Sequence, residues 1–176
     1  MHFEKTISSK EIFKGKVISV HHDEVSLENG NTAMREVVYH NGGVCVLPLL
    51  SNSDVLFVKQ FRYPYREEVL ELPAGKLEKG EEPFLSAQRE LLEETGATAG
   101  EYIDLGKLYP SPGYCSEVIS MYLARDLEFS AQKLDEDEFL DVVKIPLQKA
   151  VQMVLDGTIT DAKTQAAILK THIMLK

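Results

Sequence analysis

The sequence predicts an α/β protein: an α/β/α sandwich around a mixed sheet, preceded by a small N-terminal antiparallel β-segment. Two observations carry this expectation. Buried-strand patterns flank one short charged helix on both sides, with a further helix behind them, the order of elements that layers helices over a sheet. Ahead of them, residues 1–40 hold only short β-like runs around an Asn-Gly turn, with too little apolar surface to stand alone. The chain is therefore expected to divide at Asn41-Gly42-Gly43 into a β-segment, 1–41, and a main domain, 42–176.

Lys16 to His21 and Glu24 to Leu27 read as strands, Glu28-Asn29-Gly30-Asn31 as a hairpin turn, and Thr32 to His40 as the next strand. From Val44 the pattern changes to VCVLPLL and DVLFVKQFRYP, joined by the turn Ser51-Asn52-Ser53-Asp54; such near-continuous apolar runs mark strands buried on both faces. Glu68 to Pro73 is another strand. Gly75 and Gly80 are read as turn residues. Pro83 fits the first helical position, where a missing N–H costs nothing, and Gly96 ends the helix. Ala99 to Leu108 and Val118 to Ala124 read as strands around the Pro/Gly-rich loop Tyr109 to Cys115. The acidic loop Asp135-Glu136-Asp137-Glu138 precedes the strand Phe139 to Ile145. Pro146 opens a helix that Gly157 closes, and Thr160 or Asp161 caps a last helix whose Ala162, Ala166, Leu169 and Ile173 share a face.

With 176 residues and 44% hydrophobic content the chain is of ordinary globular composition, sufficient for one full core. A net charge of −9 argues against a nucleic-acid surface, and any anionic substrate would need bound cations and local arginines. The longest apolar run, Val44 to Leu50, is too short to span a bilayer, and the opening residues show no apolar signal region. A cytoplasmic protein without a membrane partner is expected. Cys45 and Cys115 lack metal or redox spacing and are read as reduced thiols. His2, His21, His22, His40 and His172 show no ligand spacing. No serine sits in a nucleophile elbow and neither cysteine has an evident base, so covalent catalysis is not expected.

The charged helix breaks a local rule. Glu90, Glu93 and Glu94 fall within an arc of about 100° on one side, while Phe84, Leu85, Ala87, Leu91 and Leu92 take the other, expected to be core. Glu93 and Glu94 lie in the last turn, where the helix dipole disfavours anions, and Glu90 and Glu94 form a like-charge i, i+4 pair. Each effect costs a few tenths of a kcal/mol or more. An isolated acidic run is ordinarily a solvated face. Clustered carboxylates that break such rules point instead to a hard divalent cation with oxygen ligands, Mg²⁺ or Mn²⁺. Arg89 lies one turn before Glu93, and its forked guanidinium can hold that carboxylate in its rotamer, which lysine would do less well.

As a pattern, Gly75, five residues, Glu81, seven residues, Arg89-Glu90-Leu91, one residue, Glu93-Glu94, one residue, Gly96-Ala97 resembles the Nudix box. Only Ala97 is smaller than the usual aliphatic residue. The likeness covers roughly residues 42 to 176. Pro112 lies sixteen residues after Gly96; with Arg35-Glu36-Val37-Val38, Gln60-Phe61-Arg62, Glu71-Leu72-Pro73-Ala74-Gly75 and Asp161-Ala162-Lys163-Thr164 it resembles the ADP-ribose pyrophosphatase branch. The resemblance implies Mg²⁺-dependent hydrolysis of a small-molecule nucleoside diphosphate, ADP-ribose, to AMP and ribose 5-phosphate, with Mn²⁺ as a substitute metal. It implies a homodimer in which the swapped N-terminal β-segment lends residues to the site. Glu90, Glu93, Glu94 and the main-chain carbonyl of Ala74 would be metal ligands, Glu81 a helper near them, and Arg62 a grip on the diphosphate or terminal ribose. Arg35 and Glu36 would meet the nucleobase end, and Pro112 and Gly113 would form a substrate loop. The branch often stacks adenine on an aromatic residue of the N-terminal segment; this chain has no Trp and presents Val17-Ile18 there. The alternatives are a broader nucleoside-diphosphate-sugar hydrolase and a non-catalytic ligand-sensing module. The latter typically loses box glutamates, and none is lost here.

Hydrolysis of a diphosphate requires a water to be deprotonated and directed in line at phosphorus. The acidic loop can supply the carboxylate. Glu138, anchored at the junction with the following strand, is the first choice for general base and Glu136 the second, with a plain solvated turn as the alternative.

Overall fold

The computed structural model describes residues 2–134 and 139–176. Their contacts gather into two units, Met1–Gly42 with Tyr109–Val118, and Gly43–Leu108 with Ile119–Lys176.

In the first unit, β1 (Lys5–Lys14), β2 (Ile18–Ser26) and β3 (Thr32–His40) form an antiparallel sheet in the order β1-β2-β3. The β2–β3 turn is closed by the Leu27 N–H donating to the Asn31 carbonyl at 2.8 Å, with Gly30 at φ 84°. A backbone with positive φ is what the Asn-Gly pair anticipates. Two expectations are corrected. β2 is one continuous strand where two separate runs were expected, and β1 gives no sequence signal because every one of its residues is exposed, leaving no apolar period to read. Residues 109–118 join this unit through Val38, whose N–H donates to the Tyr114 carbonyl and whose carbonyl accepts from the Ser116 N–H. Among the described residues of the unit, Val25 at 6% exposure is the one buried apolar side chain, and Phe3, Ile7, Ile12 and Phe13 are exposed. This agrees with the expected shortage of core.

The second unit holds two sheets. One is antiparallel, in the order β10-β5-β6, from β5 (Asp54–Arg62), β6 (Glu67–Glu71) and β10 (Leu140–Pro146). The other is mixed, β7-β4-β9-β8, from β4 (Gly43–Pro48), β7 (Ala74–Lys76), β8 (Ala97–Leu108) and β9 (Ile119–Phe129); β4 runs parallel to β9 and the remaining pairs are antiparallel. Every residue of β4 is buried, and the two-residue period of a strand divides its side chains between two cores. Cys45 and Leu47 pack with residues of α2 (Leu147–Leu155) and α3 (Ala162–Met174), whereas Val44 and Val46 pack with Ala87 and Leu91 of α1 (Pro83–Thr95). Helices therefore cover both faces of the sheet, as the strand–helix order predicts.

The burial of two helices differs from expectation. On α1, Ala87 and Leu91 are fully buried, yet Phe84 is exposed and Leu85 is 58% exposed, while Glu90 and Glu94 are buried. Phe84 instead meets Tyr102 and Tyr122 edge-on. On α3, the buried face is Thr164, Ala167, Ile168 and Thr171, and Ile173 is exposed. Of the four residues expected to share a face, Ala166 and Leu169 pack partly buried against the core, and the fully buried positions include a polar residue, Thr164, with a hydrogen-bonding role. No helix among the described residues is long and apolar enough to cross a membrane.

Candidate active site

Helix α1 is delimited as local chemistry dictates. Pro83 occupies its first turn, and Gly96 adopts the left-handed conformation at φ 70°, its N–H donating to the Leu92 carbonyl at 2.8 Å. A side chain at Gly96 would also meet the Ser130 carbonyl. Between these limits one guanidinium gathers the carboxylates. Arg89 donates through Nε and Nη2 to both oxygens of Glu81 at 3.0 and 3.1 Å, and through Nη1 to Glu90 at 2.8 Å and Glu93 at 2.9 Å; Nη2 also reaches the Ser86 hydroxyl at 3.1 Å. The i, i+4 pair with Glu93 is present, and Arg89 serves two further carboxylates as well. The hydrogen bonds to Arg89 take the Glu81 carboxyl from its ordinary 4.5 down to about 2, and hold Arg89 firmly charged.

Glu94, 2% exposed, accepts at Oε2 from the Ala74 N–H at 3.0 Å. Glu90, 7% exposed, lies against Gly75. A Cβ placed on Gly75 would overlap the Glu90 carboxylate, so this glycine gives room to an acid. That corrects the expected turn role: Gly75 is in the middle of β7 with no positive φ, whereas Gly80, at φ 81°, does make a turn. Glu81, Glu90, Glu93 and Glu94, if all ionised, exceed the single Arg89 charge by three. Among the described residues no three Asp, Glu, His or Cys groups converge as a ready ligand set. The carboxylates close on Arg89 and the Ala74 amide instead. The donor chemistry, several carboxylate oxygens with backbone beside them and a recess kept clear of Cβ, fits a hard divalent cation.

A second charged cluster joins Arg62, expected to grip the substrate, and Asp161, expected to cap the last helix, to two residues for which no individual role is expected, Glu71 and Lys163. Glu71, 2% exposed, accepts from Arg62 Nε at 2.5 Å and Nη2 at 2.7 Å and from Lys163 Nζ at 2.5 Å. Burial pushes its carboxyl up, but the hydrogen bonds and charges of Arg62 and Lys163 outweigh that and leave it below the ordinary range. Asp161 accepts from Lys163 at 2.9 Å and caps α3 by accepting from the Thr164 N–H at 3.0 Å, while the Thr164 hydroxyl accepts from the buried Leu72 N–H at 2.8 Å. The pairing of Glu71 with Lys163 spans 92 residues, so no local spacing signals it. Burial pushes the Cys45 thiol upward and keeps it protonated.

Thus the structure brings together Ala74, Glu81, Arg89, Glu90, Glu93 and Glu94, and holds Arg62 in the cluster around Glu71. Arg35 and Glu36 lie on β3 of the N-terminal unit, where Arg35 forms a two-bond pair with Glu4 at 2.5 and 3.0 Å. Pro112 and Gly113 belong to the 109–118 loop of that same unit. Glu136 and Glu138 lie outside the described residues.

Comparison with known proteins adds a family context. Residues 39–167 match the NUDIX domain, and residues 4–38 match the nucleoside diphosphate sugar hydrolase N-terminal domain. The chain is 45% identical over 167 residues to the ADP-ribose pyrophosphatase of Bacillus subtilis (strain 168), covering 94% of this chain and 90% of that one. It is 41% identical over 167 residues to the methanol dehydrogenase activator of Bacillus methanolicus, with the same 94% and 90% coverage. The solved structure of an ADP compounds hydrolase matches with a TM-score of 0.87 at 22% identity, covering 98% of this chain and 94% of that one, a likeness of fold.

Proposed function

The chain belongs to the Nudix family, and on that premise we propose that it is a Mg²⁺-dependent pyrophosphohydrolase that splits ADP-ribose into AMP and ribose 5-phosphate. The observation that supports the reading best is the acidic recess on α1, where Glu90 and Glu94 are buried against Gly75 and Ala74 and Arg89 secures Glu81, Glu90 and Glu93. The full set of box carboxylates supports an enzyme over a ligand-sensing module.

Glu90, Glu93 and Glu94, with the Ala74 carbonyl, would hold the cation. When bound, it neutralises the diphosphate and lowers the pKa of coordinated water. Arg89 keeps Glu90 and Glu93 in their rotamers, and the Ala74 amide does the same for Glu94, so the ligands are in place before substrate arrives. A carboxylate of the acidic run 135–138, Glu138 or else Glu136, takes a proton from the attacking water. The water oxygen bonds to one phosphorus, the bridging P–O bond breaks, and the second phosphate departs with the bond pair. Arg62 would steady a non-reacting phosphate or ribose, while Arg35 and Glu36 would meet the base and Pro112 and Gly113 would border the substrate.

The protein acts as a cytoplasmic homodimer in this reading. The exposed Phe3, Ile7, Ile12 and Phe13, on a unit whose one buried apolar side chain among the described residues is Val25, support a partner surface. Light scattering that finds a fully active monomer would contradict it. A broader nucleoside-diphosphate-sugar specificity is the second reading, favoured by the family match of residues 4–38. One turnover screen with Mg²⁺ over ADP-ribose, nucleotide sugars and dinucleoside polyphosphates decides between the two. Glu94→Gln, which keeps volume but supplies a neutral ligand, should abolish most turnover without unfolding the chain. An undiminished rate in that variant would overturn the assignment.

A further inference from the structure

The cradle for Glu90 and Glu94 is made by residues 74 and 75, on the three-residue strand β7, which pairs with β4 and meets α1 through the Ala74–Glu94 hydrogen bond. A further set of ties lies just ahead of it. The Leu72 N–H, buried, donates to the Thr164 hydroxyl at 2.8 Å, and Glu71 is gripped by Lys163 and Arg62. The Pro73 carbonyl then accepts from the Val46 N–H at 2.8 Å, and the Ala74 N–H reaches Glu94. Only Pro73 separates the residue tied to α3 from the residue tied to Glu94. A proline fixes its own φ and restricts the residue before it, so a displacement at Leu72 is carried to Ala74 with little local relaxation.

We propose that the first turn of α3 positions the metal cradle: Thr164 and Lys163 clamp residues 71 and 72, and through the stiff Leu72-Pro73-Ala74 segment they set the place of Glu94 and the recess for Glu90. Thr164 and Lys163 are positioning residues, acting through the backbone of 71–75. This rests on reading the α1 glutamates as metal ligands. Asp161 completes the device, since it caps α3 through the Thr164 N–H and holds Lys163 with its other oxygen. Outer-shell partners that orient ligands typically change metal affinity or activity by about 10- to 100-fold when removed.

The test is titration of Mn²⁺ into the metal-free full chain, followed by calorimetry, with kcat and KM measured in parallel. Thr164→Val keeps the shape and removes the hydroxyl. It should weaken Mn²⁺ binding by about 10-fold or more and lower kcat more than it raises KM, and Thr164→Ser should restore both to within about 3-fold of the parent. Lys163→Met, which leaves Arg62 on Glu71, should shift Mn²⁺ affinity in the same direction by a smaller factor, and it carries the test if Thr164→Val does not fold. Ile159→Val, a core change that leaves the polar groups of the clamp in place, should lower the melting temperature without moving Mn²⁺ affinity. A folded Thr164→Val that binds Mn²⁺ like the parent, or an Ile159→Val that loses as much affinity, would overturn the inference alone. A parent chain that binds no Mn²⁺, or a Glu94→Gln variant that binds it undiminished, would remove the glutamate reading beneath it.

Discussion

Arg62, the last residue of β5, and Glu71, the last residue of β6, are opposite Glu67 and Val58 in the ladder, yet their side chains meet in two parallel hydrogen bonds, at 2.5 and 2.7 Å, and the carboxylate is almost wholly buried. Lys163 completes its shell. A carboxylate in that position is tolerated because two cations and their N–H groups replace its water.

Removing the acid should therefore cost more than removing either base. Glu71→Gln leaves the largely buried Lys163 with Asp161 alone and Arg62 without its carboxylate, and should lower stability by about 3–5 kcal/mol. Arg62→Ala leaves Glu71 paired with Lys163 and should cost about 1–3 kcal/mol. Urea unfolding measures both. Equal losses, or a neutral Glu71→Gln, would show that the cluster does not act as described.

Acid should weaken the metal-free fold through these groups. Both Glu71 and Glu81 titrate below their ordinary 4.5 in the folded chain, Glu81 at about 2. A depressed carboxyl pKa means that the unfolded chain takes up protons first, so the stabilisation is fully present above about pH 4.5 and fades as pH falls through the folded value. For Glu81 that window runs from about 4.5 to about 2. Denaturation at stepped pH should show the decline, and Glu71→Gln should make it shallower. Stability flat from about pH 5 to about pH 3 would contradict the linkage.

Gly75→Ala should fold, since a strand accepts alanine readily, but its methyl group must push the Glu90 carboxylate aside. Mn²⁺ affinity and turnover should each fall by about 10- to 100-fold, with far-UV circular dichroism unchanged. Retained activity would show that Glu90 can leave its recess freely.

Glu138→Gln should lower kcat by about 10²- to 10⁴-fold with substrate and metal affinity nearly unchanged, the mark of a lost general base. Glu136→Gln removes the same charge from the same acidic run and is the control. If Glu136→Gln shows the large loss instead, the base moves two residues. If neither does, the acidic run takes no part in activating water.

Much of this architecture was legible because its causes are local. Pro83 and Gly96 bound α1 by their own backbone preferences, Asp161 caps α3 with its own side chain, and Arg89 reaches Glu93 by helical spacing. Other features depend on neighbours far along the chain. The exposure of Leu85 follows from Glu90 and Glu94 taking inward positions that apolarity would have assigned to leucine. The true role of Gly75 is set by a carboxylate fifteen residues away, and that of Thr164 by an amide at Leu72. Strand β1 has no inward face to write a period into the sequence.

The bridge from Glu71 to Lys163 spans 92 residues and also has a consequence for biosynthesis. Translation delivers a chain from its N-terminal side at about 5–20 residues per second, so on the order of 5 to 20 seconds pass between the appearance of the acid and that of its lysine. During that interval the Leu72 amide must remain hydrated and the carboxylate has Arg62 alone, because burying a polar group short of its partners is costly. The α1 helix can form meanwhile, but residues 71–75 have nothing from α3 to brace them. A ribosome-bound chain that has not yet extruded α3 should therefore carry every box glutamate and still be without a finished catalytic recess, which delays activity until most of the fold is committed.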